Sequence, residues 1–150
     1  MGDLEIRAAV ADDIPAIVGM LANDPLGVRR ESPDDLTPYL TALKRLEADP
    51  NQHLVVAVRE SRVIGTLQLT IIPGLSRRGA TRSIIEAVRI HADERGSGLG
   101  TRLIEWAIDE SRRLDCQLVQ LTSDTSRTDA HRFYERLGFT ASHVGFKLQL

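Results

Sequence analysis

A single cysteine in 150 residues, Cys116, has no partner for an intrachain disulfide and no second thiolate for a metal cluster. It reads as a buried hydrophobe of a cytoplasmic protein. No apolar run reaches the roughly 18 residues of a membrane span. The opening MGDLEIRAA alternates and carries acids, so it reads as a strand rather than a secretory signal. Ile6 stands where a myristoylation motif wants Ser or Thr, which argues against a lipid anchor on Gly2. Charge of one sign is scarce too, with a net charge of −2. The first fifty residues hold five more acids than bases and the other hundred three more bases than acids. So small an excess does not support nucleic-acid binding, and neither zinc-finger spacing nor interleaved basic and aromatic residues occur.

What is present, 42% hydrophobic and 27% charged residues, suits one folded unit over residues 1–150. Leu4, Ile6 and Ala8 line one side of a first strand, and Asp12 or Asp13 can cap a helix running to Met20 or Leu21. Asn23 to Pro33 reads as a loop that could border a pocket or be a plain connection, followed by a helix from Asp34 to Leu46. His53 to Arg59 and Arg62 to Ile72 form an antiparallel hairpin about Glu60-Ser61, and Arg82 to Ile90 is another strand. Leu99, Leu103, Ala107 and Leu114 fall on one helical stripe. Cys116 to Leu121 reads as a strand, Thr128 to Leu137 as a helix, and Phe146 to Leu150 as a last strand. The class is mixed α/β without repeats.

Between a strand and an amphipathic helix stands Arg95-Gly96-Ser97-Gly98-Leu99-Gly100. Small residues let the backbone turn and expose N–H groups, and a helix start adds unpaired amides and a favourable dipole. Such a turn can cradle a phosphate. It lacks the spacing and lysine of GxxxxGK[ST], and its third glycine comes one residue early for GxGxxG. On these six residues alone, a helix entry without a ligand stays open.

On a regular strand, Ile84, Glu86, Val88 and Ile90 share one face. A carboxylate among apolar neighbours would be partly buried, with its pKa raised toward a range useful for taking a proton from an amine. The other reading is a sheet-surface acid paired with Arg82 or a remote arginine. His91, at the strand end, fits a hydrogen-bonding role as readily as a catalytic one. Further on, Ala130-His131-Arg132-Phe133-Tyr134-Glu135-Arg136-Leu137-Gly138-Phe139 reads as a helix stopped by glycine, with Ala130, Phe133, Tyr134 and Leu137 on its packing side. Tyr134 adds a hydroxyl that could give a proton to a departing thiolate.

Arg95, Gly98 and Gly100 resemble the acetyl-CoA loop of the GNAT N-acetyltransferases, and Ala130 to Phe139 resembles that family's later motif with its Phe-Tyr-Glu and Gly-Phe. The stretch Arg127 to Tyr134, with Ser142-His143 and Phe146-Lys147, is similar to a branch containing aminoalkylphosphonate acetyltransferases. The resemblance implies a GNAT-like acyl-CoA N-acyltransferase fold, with a largely antiparallel mixed sheet splayed near the cofactor and helices on both faces. It implies that backbone groups of Val88 and Ile90 meet pantetheine, that the segment Arg95, Gly96, Ser97, Gly98, Leu99, Gly100 and Thr101 meets pyrophosphate, and that Glu86 and Tyr134 are base and acid. Where the family often has an asparagine this chain has Arg127, which could reach a phosphate instead.

The expected activity is transfer of acetyl from acetyl-CoA to a primary amine of a small molecule, without a metal and without an acetyl-cysteine intermediate on Cys116. A protein or peptide acceptor and a non-catalytic acetyl-CoA-binding module are the alternatives. Arg77, Arg78 and Arg82 are candidates for meeting an acidic acceptor. A homodimer involving the C-terminal strand is left open.

Overall fold

The computed structural model describes residues 2–150. Its elements are β1 (Glu5–Ala8), α1 (Ile14–Ala22), the single turn α2 (Gly27–Arg30), α3 (Thr37–Glu47), β2 (Gln52–Arg59), β3 (Arg62–Ile72), the single turn α4 (Ser76–Gly79), β4 (Arg82–Ile90), α5 (Leu99–Arg113), β5 (Leu118–Leu121) and α6 (Thr128–Arg136). The strands form one sheet in sequence order, antiparallel from β1 to β4 and parallel between β4 and β5.

The β2–β3 hairpin turns through Glu60 and Ser61 at φ 51° and 63°. Left-handed residues at both positions give the turn whose twist matches that of the flanking strands. In β2 the side chains of Val55 and Ala57 pack with Leu67, Leu69, Ile85 and the α5 residues Leu103, Ile104 and Ala107. Those of Val56 and Val58 pack with Ile14, Ile17, Val18 and Leu43 from α1 and α3. Helices therefore cover both faces, and the residues Val55 to Val58 are buried on either side. A buried hydrogen bond of 2.7 Å between the hydroxyls of Ser83 and Ser111 fixes α5 against β4.

Four expectations change. Asp13 does not cap α1 through its side chain. Its carboxylate accepts from both terminal guanidinium nitrogens of Arg7 at 2.7 and 3.0 Å and from the Val10 amide at 2.8 Å. The helix expected from Asp34 starts at Thr37, with proline in its first turn and the Thr37 amide taken by the Asp35 carboxylate. The strand expected from Cys116 starts at Leu118, after Asp115 adopts a left-handed φ of 61°. Phe146 to Leu150 forms no strand, because it pairs with none of the sheet.

Candidate active site

The β3–β4 ladder pairs Gln68 with Glu86 and then Thr66 with Arg89, so Ala87 and Val88 together oppose Leu67 alone. This is a β-bulge, with Ala87 in the left-handed region at φ 53°. The bulge breaks the alternation assumed for a regular strand. Ile85 is buried, while Glu86 and Ala87 are both exposed. Glu86 is thus not partly buried among Ile84, Val88 and Ile90, and its cross-strand neighbour is Gln68, not a basic residue.

Beyond the bulge the sheet opens. Pairing of β4 with β5 ends at Ile85 and Leu121, which leaves the edge from Glu86 to Ile90 without a neighbouring strand. The His91 amide donates to the Ile64 carbonyl at 2.8 Å. Since successive residues of a strand aim their amides to opposite sides, those of Ile90 and Val88 face the open edge. The Val88 carbonyl accepts from the Arg89 guanidinium at 2.9 Å.

At the end of this edge lies the glycine turn. His91 caps a short 3-10 turn by accepting from the Asp93 amide. Ion pairs hold the segment to the hairpin, Glu94 with Arg59 at 3.0 Å and Asp93 with Arg62 at 2.9 Å. Gly96 and Gly98 have φ of 80° and 84°, and a Cβ on either would meet nothing within 4 Å. The turn therefore faces open space. Arg102 makes the first helical bond, to the Gly98 carbonyl at 3.2 Å, and no side chain caps α5. The amides of Leu99, Gly100 and Thr101 point out of the helix start with its positive dipole end. Gly100 has another duty, since a Cβ there would lie 3.5 Å from the Phe133 ring of α6.

A cleft of about 70 Å³ opens between β4 and β5, lined by Ile85, Glu86, Ala87, Val88, Arg89, Leu121, Thr122, Ser123, Arg127 and Tyr134. Tyr134 packs edge-on against Phe133 and Phe139, with ring centroids 5.2 and 5.9 Å away. Burial pushes its phenol pKa up, against the opposing charges of Arg127 and Arg89. The phenol is therefore protonated at neutral pH and holds a proton available for donation. A larger cavity, about 360 Å³, lies among β1, β2, α3 and Trp106 and contains none of these groups.

Glu86, Val88, Arg127 and Tyr134 thus line one cleft, and Ile90 and Arg95 to Thr101 lie on the continuation of its open edge. Arg77 and Arg78 occupy an exposed left-handed turn away from it, and Arg82 pairs with Leu118 at the other end of β4. Three polar lining residues, Arg89, Thr122 and Ser123, were not anticipated from sequence. Arg89 sends Nε to within 3.1 Å of Asp24 Oδ2, without hydrogen-bond alignment. Asp24 belongs to the loop after α1, so that loop borders the site. Burial opposes the Asp24 charge, but the Gly27 amide and Arg89 outweigh it and hold its pKa below the usual range. Thr122 and the buried, unpartnered Ser123 hydroxyl sit just past the end of β5. Among the described residues no cluster of three or more His, Cys, Asp or Glu could hold a metal, and no helix is long and apolar enough to cross a membrane.

The pattern of the Acetyltransferase (GNAT) family matches residues 16–139. The chain belongs to this family. As a GNAT protein it is similar to the aminoalkylphosphonate N-acetyltransferase of Salmonella typhimurium, 36% identical over 98 residues, 65% of this chain and 63% of that protein. It is also 36% identical to the glucosamine 6-phosphate N-acetyltransferase of Trypanosoma brucei brucei over 89 residues, 59% of this chain and 58% of that one. Both matches span less than two thirds of the relative. Among solved structures, a transcriptional regulator from Bacillus halodurans C-125 is 42% identical with a TM-score of 0.95, covering 99% of this chain and 100% of that chain. The fold expected of a GNAT chain, a splayed mixed sheet with helices on both faces, is the one observed.

Proposed function

We propose that this GNAT protein transfers the acetyl group of acetyl-CoA to the primary amine of a small molecule by direct attack within a ternary complex. The observation that carries the reading is the junction of an open β4 edge with an uncapped, glycine-led helix start. Amides of Val88 and Ile90 are free to pair with the amide-bearing pantetheine arm as a strand would. The turn from Arg95 through Gly96, Ser97, Gly98, Leu99 and Gly100 to Thr101 offers amides and a dipole to the pyrophosphate. Arg127, at the entry to α6, is assigned a charged contact with the same co-substrate in place of the family's asparagine.

Acetyl-CoA supplies the activated acetyl group as a thioester. The protein supplies position and protons. Glu86, exposed at the mouth of the cleft, accepts the ammonium proton of the acceptor through a water. The free amine then attacks the thioester carbonyl, whose developing oxyanion meets a strand amide at Val88 or Ile90. As the intermediate collapses, Tyr134 gives its proton to the departing thiolate and the protonated nitrogen gives one up to the resulting phenolate through water, leaving a neutral amide and a neutral phenol. The two curated relatives are named for acceptors that carry phosphonate or phosphate, so a small acidic amine is the favoured acceptor. The narrow cleft supports a small acceptor over a peptide, and the single cysteine suits the reducing cytoplasm.

A second reading rests on the Bacillus halodurans relative being named a transcriptional regulator. On that reading the chain binds acetyl-CoA without turnover. Calorimetric titration with acetyl-CoA, followed by thiol release with an aminoalkylphosphonate, a hexosamine phosphate and a lysine peptide, separates these readings. Binding with release on an acidic small amine supports the transferase. Binding without release on any amine supports the second reading, and absence of binding by folded protein overturns both.

A further inference from the structure

Two ladder pairs place an acid and a base on one face of the sheet. Thr66 and Gln68 lie two residues apart on β3, so their side chains share a face, and their partners on β4 are Arg89 and Glu86. Glu86 and Arg89 are three residues apart, which in a regular strand puts side chains on opposite faces. The extra residue at the bulge brings them to the same side, two ladder positions or about 7 Å apart along the sheet. That side is the one covered by α1 and α3, because Thr66 also pairs with Val56, whose side chain packs against those helices.

The Arg89 side chain is only 19% exposed. Its Nη1 donates to the Val88 carbonyl, while its Nε lies beside Asp24 Oδ2 out of line and has no hydrogen-bond acceptor. Asp24 is bound into its own loop, with Oδ1 taking the Gly27 amide at 2.5 Å. On the β5 side of the same cleft the Ser123 hydroxyl is buried without a partner. Among the described residues these are the two buried side-chain polar atoms left unbonded, and both belong to one cleft of about 70 Å³. Buried polar groups are nearly always bonded, and both of these can donate. The ligand they fit therefore carries acceptor oxygens. Its charge follows from the lining, two arginines, Arg89 and Arg127, against the single carboxylate of Glu86.

We propose that Arg89 and the Ser123 hydroxyl form the subsite for the acid group of the acceptor, with Asp24 as the resident counterion that this group displaces from Arg89. The planar guanidinium meets a phosphonate, phosphate or carboxylate through paired N–H donors, and the serine hydroxyl adds another. Asp24 offsets the Arg89 charge whenever the acid group is away, which spares the fold an unpaired half-buried cation. Given acetyl transfer to a small amine, the reading on which this assignment rests, an acid group on Arg89 brings the nitrogen of a short acceptor to Glu86 on the same face. The acceptor class is thus an amine with its acid group close to the nitrogen.

Calorimetric titration of the full chain with ethylphosphonate, with and without saturating CoA, tests the subsite without turnover. The expected result is saturable binding in both cases, since the glycine turn lies outside the cleft. Arg89→Gln should weaken it at least about tenfold and Ser123→Ala about threefold. Asp24→Asn keeps an oxygen for the Gly27 amide and removes the competing charge, so it should tighten binding by about threefold or more. A purely structural Arg89–Asp24 pair would give the opposite sign. Melting checks each variant, and the nearly isosteric Ser123→Ala and Asp24→Asn decide the matter if Arg89→Gln does not fold. Absence of binding up to about 10 mM, binding that CoA abolishes, or an Asp24→Asn affinity no better than wild type overturns the proposal. In turnover, the ratio of kcat/KM for 2-aminoethylphosphonate to that for ethylamine should fall at least about tenfold in Arg89→Gln. A wild type that acetylates both amines equally well refutes the subsite and leaves acetyl transfer intact. If no amine releases thiol, the transferase reading fails, and the ethylphosphonate titration still decides whether the anion subsite exists.

Discussion

Substituting Gly98 separates the conformational role of the glycine turn from its electrostatic one. Gly98 has φ 84°, and nothing lies within 4 Å of a Cβ built there. Alanine would clash with nothing and would incur only the left-handed backbone cost, about 1–2 kcal/mol. That strain is present in the free and liganded protein alike, because the turn is already formed. Gly98→Ala should therefore lower the melting temperature by roughly 4 °C per kcal/mol while leaving acetyl-CoA affinity within about threefold of wild type. Gly98→Asp adds a carboxylate. At about 6 Å from a phosphate charge, repulsion is roughly 0.7 kcal/mol in bulk water and roughly 3 kcal/mol at an effective dielectric of about 20. Affinity should fall about 3- to 100-fold below that of the alanine variant, since about 1.4 kcal/mol is tenfold. The gap should narrow between 50 mM and 500 mM salt, by screening. Both variants can be melted to check folding and titrated calorimetrically with acetyl-CoA. Equal affinity of folded Gly98→Asp and Gly98→Ala would refute the placement of pyrophosphate at this turn.

Tyr134→Phe keeps the ring against Phe133 and Phe139 and removes only the hydroxyl, so kcat should fall roughly 100-fold with acetyl-CoA binding unchanged. A kcat within threefold of wild type in stopped-flow or steady-state thiol release would remove Tyr134 from proton transfer. Glu86→Gln should lower kcat/KM at pH 7 by about 100-fold, with the deficit shrinking toward pH 10 as the acceptor amine deprotonates unaided. A deficit constant across that pH range would assign Glu86 to binding instead. Asp13→Asn should cost roughly 2 kcal/mol of stability, measured by urea unfolding, because Asp13 is 5% exposed and its charge-assisted bonds to Arg7 go with its charge. Those bonds, foremost, hold the folded Asp13 pKa below the unfolded value. Its contribution is thus present above about pH 4 and is lost as pH falls through the lower folded pKa. Wild type and Asp13→Asn should converge in stability at acid pH, and a gap that persists there would contradict this account.

The hairpin, the α5 stripe and the two family-like motifs were legible because each is local: a period, a turn pair, a glycine cluster. Departures arose where a residue's role depends on something distant. Ala87 carries no turn signal, and Ile84 to Ile90 keep a strand composition, so the bulge that exposes Glu86 is set by the β3 register and not by β4 alone. Ser123 and Thr122 line the cleft only because β5 stops at Leu121 while β4 continues to Ile90. Arg89 reads as an ordinary strand arginine until the loop after α1 brings Asp24 to it. For residues 146–150, strand propensity names a conformation but not the neighbour that would complete it.

The two open strand edges are unlike in chemistry, and the difference argues for different occupants. Unpaired edges invite unwanted pairing, and proteins usually cover, shorten or twist them. The β4 edge beyond Ile85 is set off by a bulge whose left-handed Ala87 costs about 1 kcal/mol, a distortion that regular pairing to a longer β5 would not need. It is flanked by Glu86, Ser123, Arg127 and the free amides of α5, groups that meet a polar, phosphate-bearing chain better than an apolar strand. The outer edge of β5 is flanked instead by Leu118 and the half-covered α6 surface, an apolar setting without phosphate-binding groups. Leu118→Asp, on the outer edge of β5, should therefore leave acetyl-CoA affinity within about threefold of wild type while Gly98→Asp lowers it, and equal losses would assign one class of occupant to both edges.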